Sequence, residues 1–307
     1  MQVLRVKTRA KVNLHLEVLG RRQDGFHEIE TIFQTVDLAD AMELEPTRDG
    51  RVEITCSEAS IPTDEANICH RAVLAMRRFA GPTLGARIHL DKRIPAGAGL
   101  GGGSANAAGV ILGICKGLGL RVSDGRLHRL AAELGSDVPF MLHGGTMLGR
   151  GRGERLTPMT AIGPSWFVIV KPSVSISTAW VYSSLSFRLT PDRTRLSLKA
   201  ANSVLARVPA VRTPFRNALE AVVCPAHPVV AGVLDELLSL RPCLASMTGS
   251  GSALFAVFDD ERRAAAVAER FSVRGFFTSV VLPAKRAVEF DASHPACGNG
   301  LRKGGVR

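Results

Sequence analysis

Apolar and polar positions alternate near the start of the chain and later change to a helical spacing. Val12, Leu14, Leu16 and Val18 fill every second position of residues 12–19, which predicts a half-buried strand. Further strands are predicted over 28–38, 51–56 and 86–93, and helices over 65–79, 104–118 and 123–135. These elements predict a first α+β lobe that ends between residues 150 and 165.

The second half of the chain predicts a smaller lobe. WFVIV at 166–170 is an apolar strand, and residues 184–214, rich in Arg, Ser and Pro, are expected to connect the lobes. Helices are then predicted over 216–223, 228–240 and 260–271, and strands over 243–248, 252–258 and 275–282. This order is typical of a small split α+β sandwich. We therefore expect domains at 1–158 and 159–290 and a disordered basic tail at 291–307.

Composition narrows the class of protein without choosing a function. Of 307 residues, 46% are hydrophobic and 22% charged, which is globular usage. The basic start lacks the apolar run of a signal peptide, and no stretch approaches the roughly 18 apolar residues of a membrane span. We therefore expect a cytoplasmic protein without a membrane partner. The formal charge of +11 favours anionic ligands, which include nucleic acid and phosphorylated metabolites.

A glycine-rich segment, PAGAGLGGGSANAAG at 95–109, carries the strongest chemical signal. Five of the seven residues 97–103 are glycine, which lets backbone N–H groups approach a ligand closely. The segment leads into a helix predicted from Ser104, and a helix N-terminus favours phosphate. A glycine turn without a ligand is the alternative, but so many glycines carry an entropic cost, and we favour a phosphate loop.

Two common nucleotide-binding signatures fit poorly. No Gly-Lys-Ser/Thr follows the loop, which excludes a Walker A motif. Gly97, Gly99 and Gly102 match G-x-G-x-x-G, but Pro95 stands where a Rossmann fold needs a hydrophobic strand. The nearest acid at a suitable distance, Asp124, lies at a predicted helix start. A dinucleotide site is therefore disfavoured.

The arrangement P-x-x-x-G-L-G-G-G-S-A-x-A-A resembles the phosphate loop of the GHMP kinases. Segments 10–40, 135–142 and 246–258 (with A-K-x-N-L, GSDVPFML and SMTGSGSALFAVF) fit the resemblance in order and spacing. It is nearest to the branch that uses ATP and a divalent cation to phosphorylate the 2-hydroxyl of a cytidylyl methylerythritol, in the mevalonate-independent isoprenoid route. The resemblance implies a two-lobe α+β GHMP kinase fold, with an N-terminal ribosomal-protein-S5-domain-2-like lobe and a C-terminal ferredoxin-like lobe.

Residue chemistry and the resemblance together indicate a catalytic pair. Asp137 stands beside Pro139 and Phe140 and could accept a hydroxyl proton, although Ser-Asp-x-Pro is also a good turn sequence. Lys11 interrupts an apolar strand, where burial is costly unless the lysine faces an anion or a carboxylate. A surface lysine is the alternative. The resemblance makes Asp137 the catalytic base and Lys11 its electrostatic partner.

Several residues are expected on the acceptor side. The resemblance implies roles there for Asn13, Phe26, His27, Phe33, Tyr182, Gly249 and Gly251. Asn13 shares a strand face with Lys11 and could position the hydroxyl, or could be an ordinary polar edge residue. The resemblance has Phe26 stack on the cytosine and His27 hydrogen-bond to it, with two further aromatic positions around the ring. The alternatives are a phenylalanine that belongs to the core, an ordinary loop histidine at position 27, and a tight strand–strand turn at 249–251.

The ATP side is expected to include the loop and two flanking residues. The resemblance assigns Pro95, Gly97, Gly99, Leu100, Gly101, Gly102, Gly103, Ser104, Asn67 and Lys92 to it. No Mg²⁺ carboxylate is evident besides Asp137, so phosphates and water are expected to hold the metal. Two departures stand out: Ala105 replaces the usual second serine of the loop, and Ala179 replaces a proline, which leaves the alignment of Tyr182 open.

Two alternative functions agree with part of the sequence. Another GHMP kinase, acting on homoserine or a phosphomevalonate, would give no reason for the base-reading pair Phe26 and His27. An RNA-binding protein would suit the charge and a ribosomal-type lobe, but RNA needs no such tight phosphate loop. We expect small anionic substrates, no nucleic acid, and a monomer or weak homodimer.

Overall fold

Two long antiparallel strands form the base of the first lobe. The computed structural model describes residues 2–185, 196–210 and 213–291. In it β1 (Leu4–Arg21) pairs with β2 (His27–Thr47). Both strands are longer than predicted, β1 mainly toward its N-terminus and β2 mainly toward its C-terminus. Lys11 and Asn13, at the polar positions of the alternation, are also buried, so the middle of β1 is covered on both faces.

A seven-stranded sheet organises this lobe, in the order β11-β1-β2-β4-β3, with β5 pairing with β2 and β6. The other strands are β3 (Val52–Cys56), β4 (Gly85–Asp91), β5 (Thr146–Gly151), β6 (Arg155–Pro158) and β11 (Val288–Phe290). Strands β5, β6 and β11 were not predicted from the pattern of apolar positions. Strand β11 pairs with β1, so the chain returns to this sheet after the second lobe.

Helices cover one side of the sheet. They are α1 (Ile68–Ala80), α2 (Gly102–Leu118), α3 (Asp124–Leu134) and α4 (Val138–His143). The central helix α2 lies close against the strands, because two of its residues are glycines without side chains. A Cβ at Gly109 would be 2.7 Å from Thr8 Cγ2, and a Cβ at Gly113 would be 2.3 Å from Leu44 Cδ2. This close packing fixes the helix whose first turn follows the glycine-rich segment.

The second lobe contains a four-stranded antiparallel sheet in the order β10-β7-β9-β8. Its strands are β7 (Trp166–Lys171), β8 (Leu244–Met247), β9 (Leu254–Phe258) and β10 (Phe277–Val281). Its helices are α5 (Thr178–Ser183), α6 (Leu198–Leu205), α7 (Glu220–Ala226), α8 (Pro228–Ser239) and α9 (Glu261–Ser272). This strand order, with helices between β7 and β8 and between β9 and β10, confirms the expected ferredoxin-like lobe.

The helix predicted over 216–223 begins later, at Glu220. The backbone N–H of Leu16 donates to Arg216 O at 2.8 Å, and Ala218 N–H donates to Leu16 O at 2.8 Å. These bonds hold residues 216–218 against β1 in an extended form. The second lobe is therefore joined directly to the strand that carries Lys11 and Asn13.

Within the described residues, no single helix is long and apolar enough to cross a membrane. Helices α7 and α8 pass such a test only as a pair bent by 116°, by length and composition. The predicted disordered tail, apart from Asp291, lies outside the residues that the structure describes.

Candidate active site

A cleft of about 760 Å³ is formed by segments from both lobes. It is lined by parts of β1 and β2, the glycine loop that precedes α2 (residues 95–101), the residues just before α4, helix α5 and a second glycine loop (residues 248–253, between β8 and β9). The predicted residues on its wall are Lys11, Asn13, Phe26, His27, Phe33, Gly99, Gly101, Ser104, Asp137, Tyr182 and Gly249. Residues far apart in the chain are therefore brought into one cavity.

A lysine and an aspartate form the polar centre of the cleft. Lys11 Nζ lies 3.3 Å from Asp137 Oδ2 and donates to Asn13 Oδ1 at 2.7 Å. The lysine side chain is 3% exposed, whereas that of Asp137 is 31% exposed and faces the cavity. The cost of burying the ammonium is thus offset by a carboxylate and an amide oxygen. Asp137 itself is the residue before α4 and makes no side-chain cap to that helix.

Asn13 is held in one orientation by two hydroxyl side chains. Its Nδ2 donates to Thr31 Oγ1 at 2.8 Å, and its backbone N–H donates to Thr248 Oγ1 at 3.1 Å. Thr248 belongs to the second glycine loop, and its hydroxyl also lies 3.2 Å from Gly99 O. One threonine of the second glycine loop thus contacts both strand β1 and the first glycine loop.

The tip of the β1–β2 hairpin presents an aromatic and an imidazole ring. Phe26 is 49% exposed and has the Arg152 guanidinium 4.5 Å from its ring centroid. The rings of His27 and Tyr182 lie 5.0 Å apart. Burial, and then the charge of Arg21, lower the pKa of His27 below 6.5. The imidazole is therefore neutral near pH 7, with one N–H donor and one acceptor nitrogen.

Tyr182 reaches the cleft despite the altered sequence before it. Ser177 caps α5 by accepting from Trp180 N–H at 3.3 Å, so the helix forms with Ala179 where a proline was expected. Burial, and then the charge of Asp137, raise the pKa of the Tyr182 phenol. The phenol therefore stays protonated and able to donate.

Phe33 lies deeper than the other aromatic residues. It is 1% exposed, stacks on Phe140 at a centroid distance of 4.7 Å, and has Lys11 Nζ 5.7 Å from its ring centroid. Its ring therefore packs into the floor of the cleft and supports Lys11, and it does not present an open face as Phe26 does.

A second cavity of about 390 Å³ lies on the other side of the glycine loop. The predicted residues that line it are Asn67, Lys92, Pro95, Gly97, Gly99, Gly101, Gly102, Gly103 and Ser104. Asn67 caps α1, accepting from Cys69 N–H at 2.9 Å. Gly99, Gly101 and Ser104 line both cavities.

The glycine loop adopts a conformation that suits its composition. Gly97, Gly99 and Gly101 have φ angles of 61°, 76° and 72°, in the region that favours glycine. Helix α2 begins at Gly102, so the backbone N–H groups of its first turn have no partner within the helix. They are available to an anion. Leu100, also expected on the ATP side, lines neither cavity: its side chain is 1% exposed, and its carbonyl accepts from Lys11 N–H at 2.9 Å.

Lys92 is held by a buried carboxylate. Its Nζ is ion-paired with Asp40, whose side chain is fully buried, and donates to Asn106 Oδ1 at 2.9 Å. Asp40 Oδ1 also accepts from the backbone N–H groups of Arg93 and Ile94, each at 2.8 Å. Asp40 therefore pairs with the charge of Lys92 and also holds the backbone of the segment that leads into the loop.

Gly249 and Gly251 differ in their positions. Gly249 lines the cleft, and an added Cβ would be 3.4 Å from Lys11 Nζ. Gly251 lines neither cavity, and a Cβ there would be 2.6 Å from Met247 Sδ. Gly251 therefore serves the close packing of the second loop.

Sequence reasoning missed Arg152, Thr248 and Asp40. Arg152 follows a strand that the pattern did not predict, and single Thr and Asp residues carry no signal for long-range contacts. Thr178 and Ser250 were also missed; their hydroxyl oxygens lie 2.7 Å apart on the cleft wall.

The protein oxygens at the site are too few to hold a hard cation such as Mg²⁺ by themselves, but they could hold it together with phosphate oxygens. Within the described ranges, no group of three or more His, Cys, Asp or Glu side chains could hold a metal ion. Asp137 is the one carboxylate among the described residues that line the cleft, and the hydroxyl residue Ser104, in the first turn of α2, also lines it. Mg²⁺ is commonly held in this way, by few protein oxygens together with phosphates and water.

Two family models and several solved structures match this chain. Residues 67–145 match the GHMP kinases N terminal domain, and residues 208–275 match the GHMP kinases C terminal family. A crystal structure of a 4-(cytidine 5'-diphospho)-2C-methyl-D-erythritol kinase superposes with a TM-score of 0.76 at 34% identity, covering 91% of this chain and 99% of the other. A homoserine kinase from Cytophaga hutchinsonii gives 0.67 at 19% identity, covering 95% and 98%, and at that identity shows the fold alone.

Curated relatives resolve the family further. The 4-diphosphocytidyl-2-C-methyl-D-erythritol kinase of Geobacter sp. (strain M21) is 40% identical over 282 residues, which cover 92% of this chain and 99% of the relative. The kinase of the same name from Alkaliphilus metalliredigens is 38% identical over 278 residues, covering 89% and 94%. Identity of this degree over nearly the whole length places this chain in the family of 4-diphosphocytidyl-2-C-methyl-D-erythritol kinases, among the GHMP kinases.

Proposed function

We propose that this chain transfers the γ-phosphoryl group of ATP to the 2-hydroxyl of 4-diphosphocytidyl-2-C-methyl-D-erythritol. The observation that carries the proposal is that two cavities meet at one phosphate loop, where Gly99, Gly101 and Ser104 line both. A triphosphate along the loop would have its base on the Asn67 side and its terminal phosphate toward Asp137. Donor and acceptor would then approach each other from opposite sides of the loop, as phosphoryl transfer requires.

Asp137 and Lys11 would carry the proton and charge changes. The acceptor O–H bond breaks as its oxygen bonds to the γ-phosphorus, and the proton passes to a carboxylate oxygen of Asp137. The bond from the γ-phosphorus to the bridging oxygen breaks, leaving ADP. Lys11, 3.3 Å from Asp137, would stabilise the negative charge near the transferring group. Asn13, fixed by Thr31, would orient the hydroxyl.

The hairpin tip would bind the cytidine part of the acceptor. Phe26 offers an exposed ring for stacking, and neutral His27 would hydrogen-bond to the pyrimidine edge through one ring nitrogen. Tyr182 would confine the base from α5. The positive charge of Arg152, also on the cleft wall, suits the diphosphate.

Mg²⁺ would be held by Ser104 and the phosphate oxygens of ATP, with water completing its coordination. When bound, it supplies neutralisation of the triphosphate charge.

A phosphate-transfer assay tests the proposal. The protein is incubated with ATP, Mg²⁺ and one of several alcohols: the cytidylyl methylerythritol, homoserine and phosphomevalonate. Phosphorylated product and ADP are measured by ³¹P NMR, and we expect turnover with the cytidylyl acceptor. Turnover with homoserine or phosphomevalonate alone would contradict the proposal. The cytoplasmic location, the monomer or weak homodimer, and the absence of nucleic-acid binding stay predictions.

A further inference from the structure

A buried asparagine holds the second glycine loop from below. Asn217 is 2% exposed, and its Nδ2 donates to Met247 O at 2.8 Å and to Gly249 O at 2.7 Å. Its Oδ1 accepts from Leu219 N–H at 3.0 Å. Both amide hydrogens are thus used on two carbonyls of one loop, an arrangement that only a side-chain amide of this length provides here.

A carboxylate from the same segment holds the strand that enters that loop. Glu220 Oε1 accepts from Ser246 Oγ at 2.6 Å and from Met247 N–H at 2.7 Å. Asn217 therefore donates to the carbonyl of Met247 while Glu220 accepts from its N–H. The two side chains therefore hydrogen-bond to both the carbonyl oxygen and the N–H of Met247.

The segment that carries these residues is itself tied to β1. Residues 216–218 hydrogen-bond through their backbone to Leu16, on the strand that also carries Lys11. The loop they hold places Gly249 beside the catalytic lysine, since an added Cβ at Gly249 would be 3.4 Å from Lys11 Nζ and 3.3 Å from Gly99 Cα. A continuous set of contacts thus runs from β1 through Asn217 to the wall of the cleft.

We infer that Asn217 and Glu220 are positioning residues for phosphoryl transfer, which set the second glycine loop against Lys11 and the phosphate loop. The inference rests on the proposed function for its kinetic readout. Neither residue lines either cavity, so neither is expected to touch substrate. Their effect is on the placement of the loop, and small misplacements of reacting groups are costly in rate.

The decisive variant is Asn217→Asp, which keeps the shape but replaces the donor with an oxygen facing two carbonyls. We expect kcat to fall on the order of 10- to 100-fold. The Kd of an ATP analogue, measured by calorimetry, should change by less than about threefold, because the first-turn amides of α2 are untouched. Asn202→Asp on α6 is the matched control: Asn202 Oδ1 only accepts, from Thr160 N–H, and aspartate keeps that bond.

Variants of Glu220 test the inference independently, in case the Asn217→Asp variant does not fold. Glu220→Gln keeps an acceptor oxygen and should retain kcat within about threefold, whereas Glu220→Ala removes it and should lower kcat as Asn217→Asp does. Rescue by the glutamine variant is not expected of a residue whose charge takes part in the chemistry. If both Glu220 variants lose activity equally, or neither does, the inference is wrong.

Hydrogen exchange separates this inference from the proposed function. The amides of residues 246–251 should exchange faster in Asn217→Asp and Glu220→Ala than in the wild type, with exchange in α2 unchanged. This readout needs no substrate. An inactive wild type would overturn the proposed function alone, whereas unchanged exchange and unchanged kcat in these variants would overturn the positioning role.

Discussion

Gly99 lies against the backbone of Thr248, so closely that an added Cβ would be 2.1 Å from the Thr248 carbonyl oxygen. The contact is reinforced by Ala253 N–H, which donates to Ala98 O at 3.2 Å. The glycine loop of the first lobe therefore packs directly against the second glycine loop of the second lobe. Glycine is required here for close approach as well as for its positive φ.

Gly99→Ala should lower kcat/KM by more than about tenfold, because the new methyl group must push the two loops apart. Gly97→Ala is the matched control: it has a similar φ of 61° but nothing within 4 Å of its Cβ. That variant should lose stability by about 1–2 kcal/mol, as for any L-residue in the left-handed region, with a smaller effect on rate. Steady-state kinetics give kcat/KM for both variants, and urea unfolding gives their free energies of unfolding. Equal kinetic losses would show that backbone strain, and not the contact with Thr248, dominates.

Asp137→Asn should reduce kcat by about 10²–10⁴-fold while leaving the affinity for ATP near normal. The amide cannot accept the hydroxyl proton, but the phosphate loop is unaffected. Single-turnover assays and calorimetric titration with an ATP analogue measure the two effects. Asp235→Asn, at an exposed position of α8, is the control. Turnover close to that of the wild type in Asp137→Asn would remove this residue from the mechanism.

Tyr182→Ala should raise KM for the cytidylyl acceptor by about tenfold, because an aromatic contact beside His27 is lost. Tyr182→Phe keeps the ring and should stay close to the wild type. KM for ATP should not change in either variant. Trp180→Ala removes another aromatic side chain of α5 that does not line the cleft, and serves as control. An equal rise in KM for both substrates would argue against an acceptor-side role.

The local pattern of the sequence predicted the elements better than their contacts. Alternation at 12–18 located β1, and the apolar run at 166–170 located β7 almost to the residue. Strand β11 was missed because three residues are too short for a periodic signal. The late start of α7 was missed because backbone pairing with β1 overrides a local helical tendency.

In the candidate site, too, local sequence features were predictable and long-range contacts were not. Glycine content predicted a phosphate loop. The lysine in an apolar strand predicted either a facing anion or carboxylate or a surface position, and the resemblance chose Asp137, whose Oδ2 lies 3.3 Å from Lys11 Nζ. The pairing of Lys92 with Asp40 was not predictable, because it depends on the register between β2 and β4. Thr248 was missed for a related reason: its role comes from lobe packing, which no local pattern encodes.

His15 should make the stability of the protein depend on pH. Burial, the largest cause, lowers the pKa of His15 below 6.5; nearby Glu17 and Glu30 raise it, and Arg216 lowers it further. The unfolded chain therefore takes up a proton near pH 6.5, where the folded protein resists it. Stability is then present at higher pH and is lost as the pH falls below about 6.5.

The measurement is urea unfolding at pH 7.5 and pH 5.5 for the wild type and His15→Gln. The free energy of unfolding should fall between the two pH values in the wild type and fall less in the variant, which has no proton to take up. A residual fall is expected, because burial also lowers the pKa of His27 and His143. The sign of the difference between the two proteins decides the matter: a variant that loses as much stability as the wild type, or more, would show that His15 is not resisting protonation in the folded state.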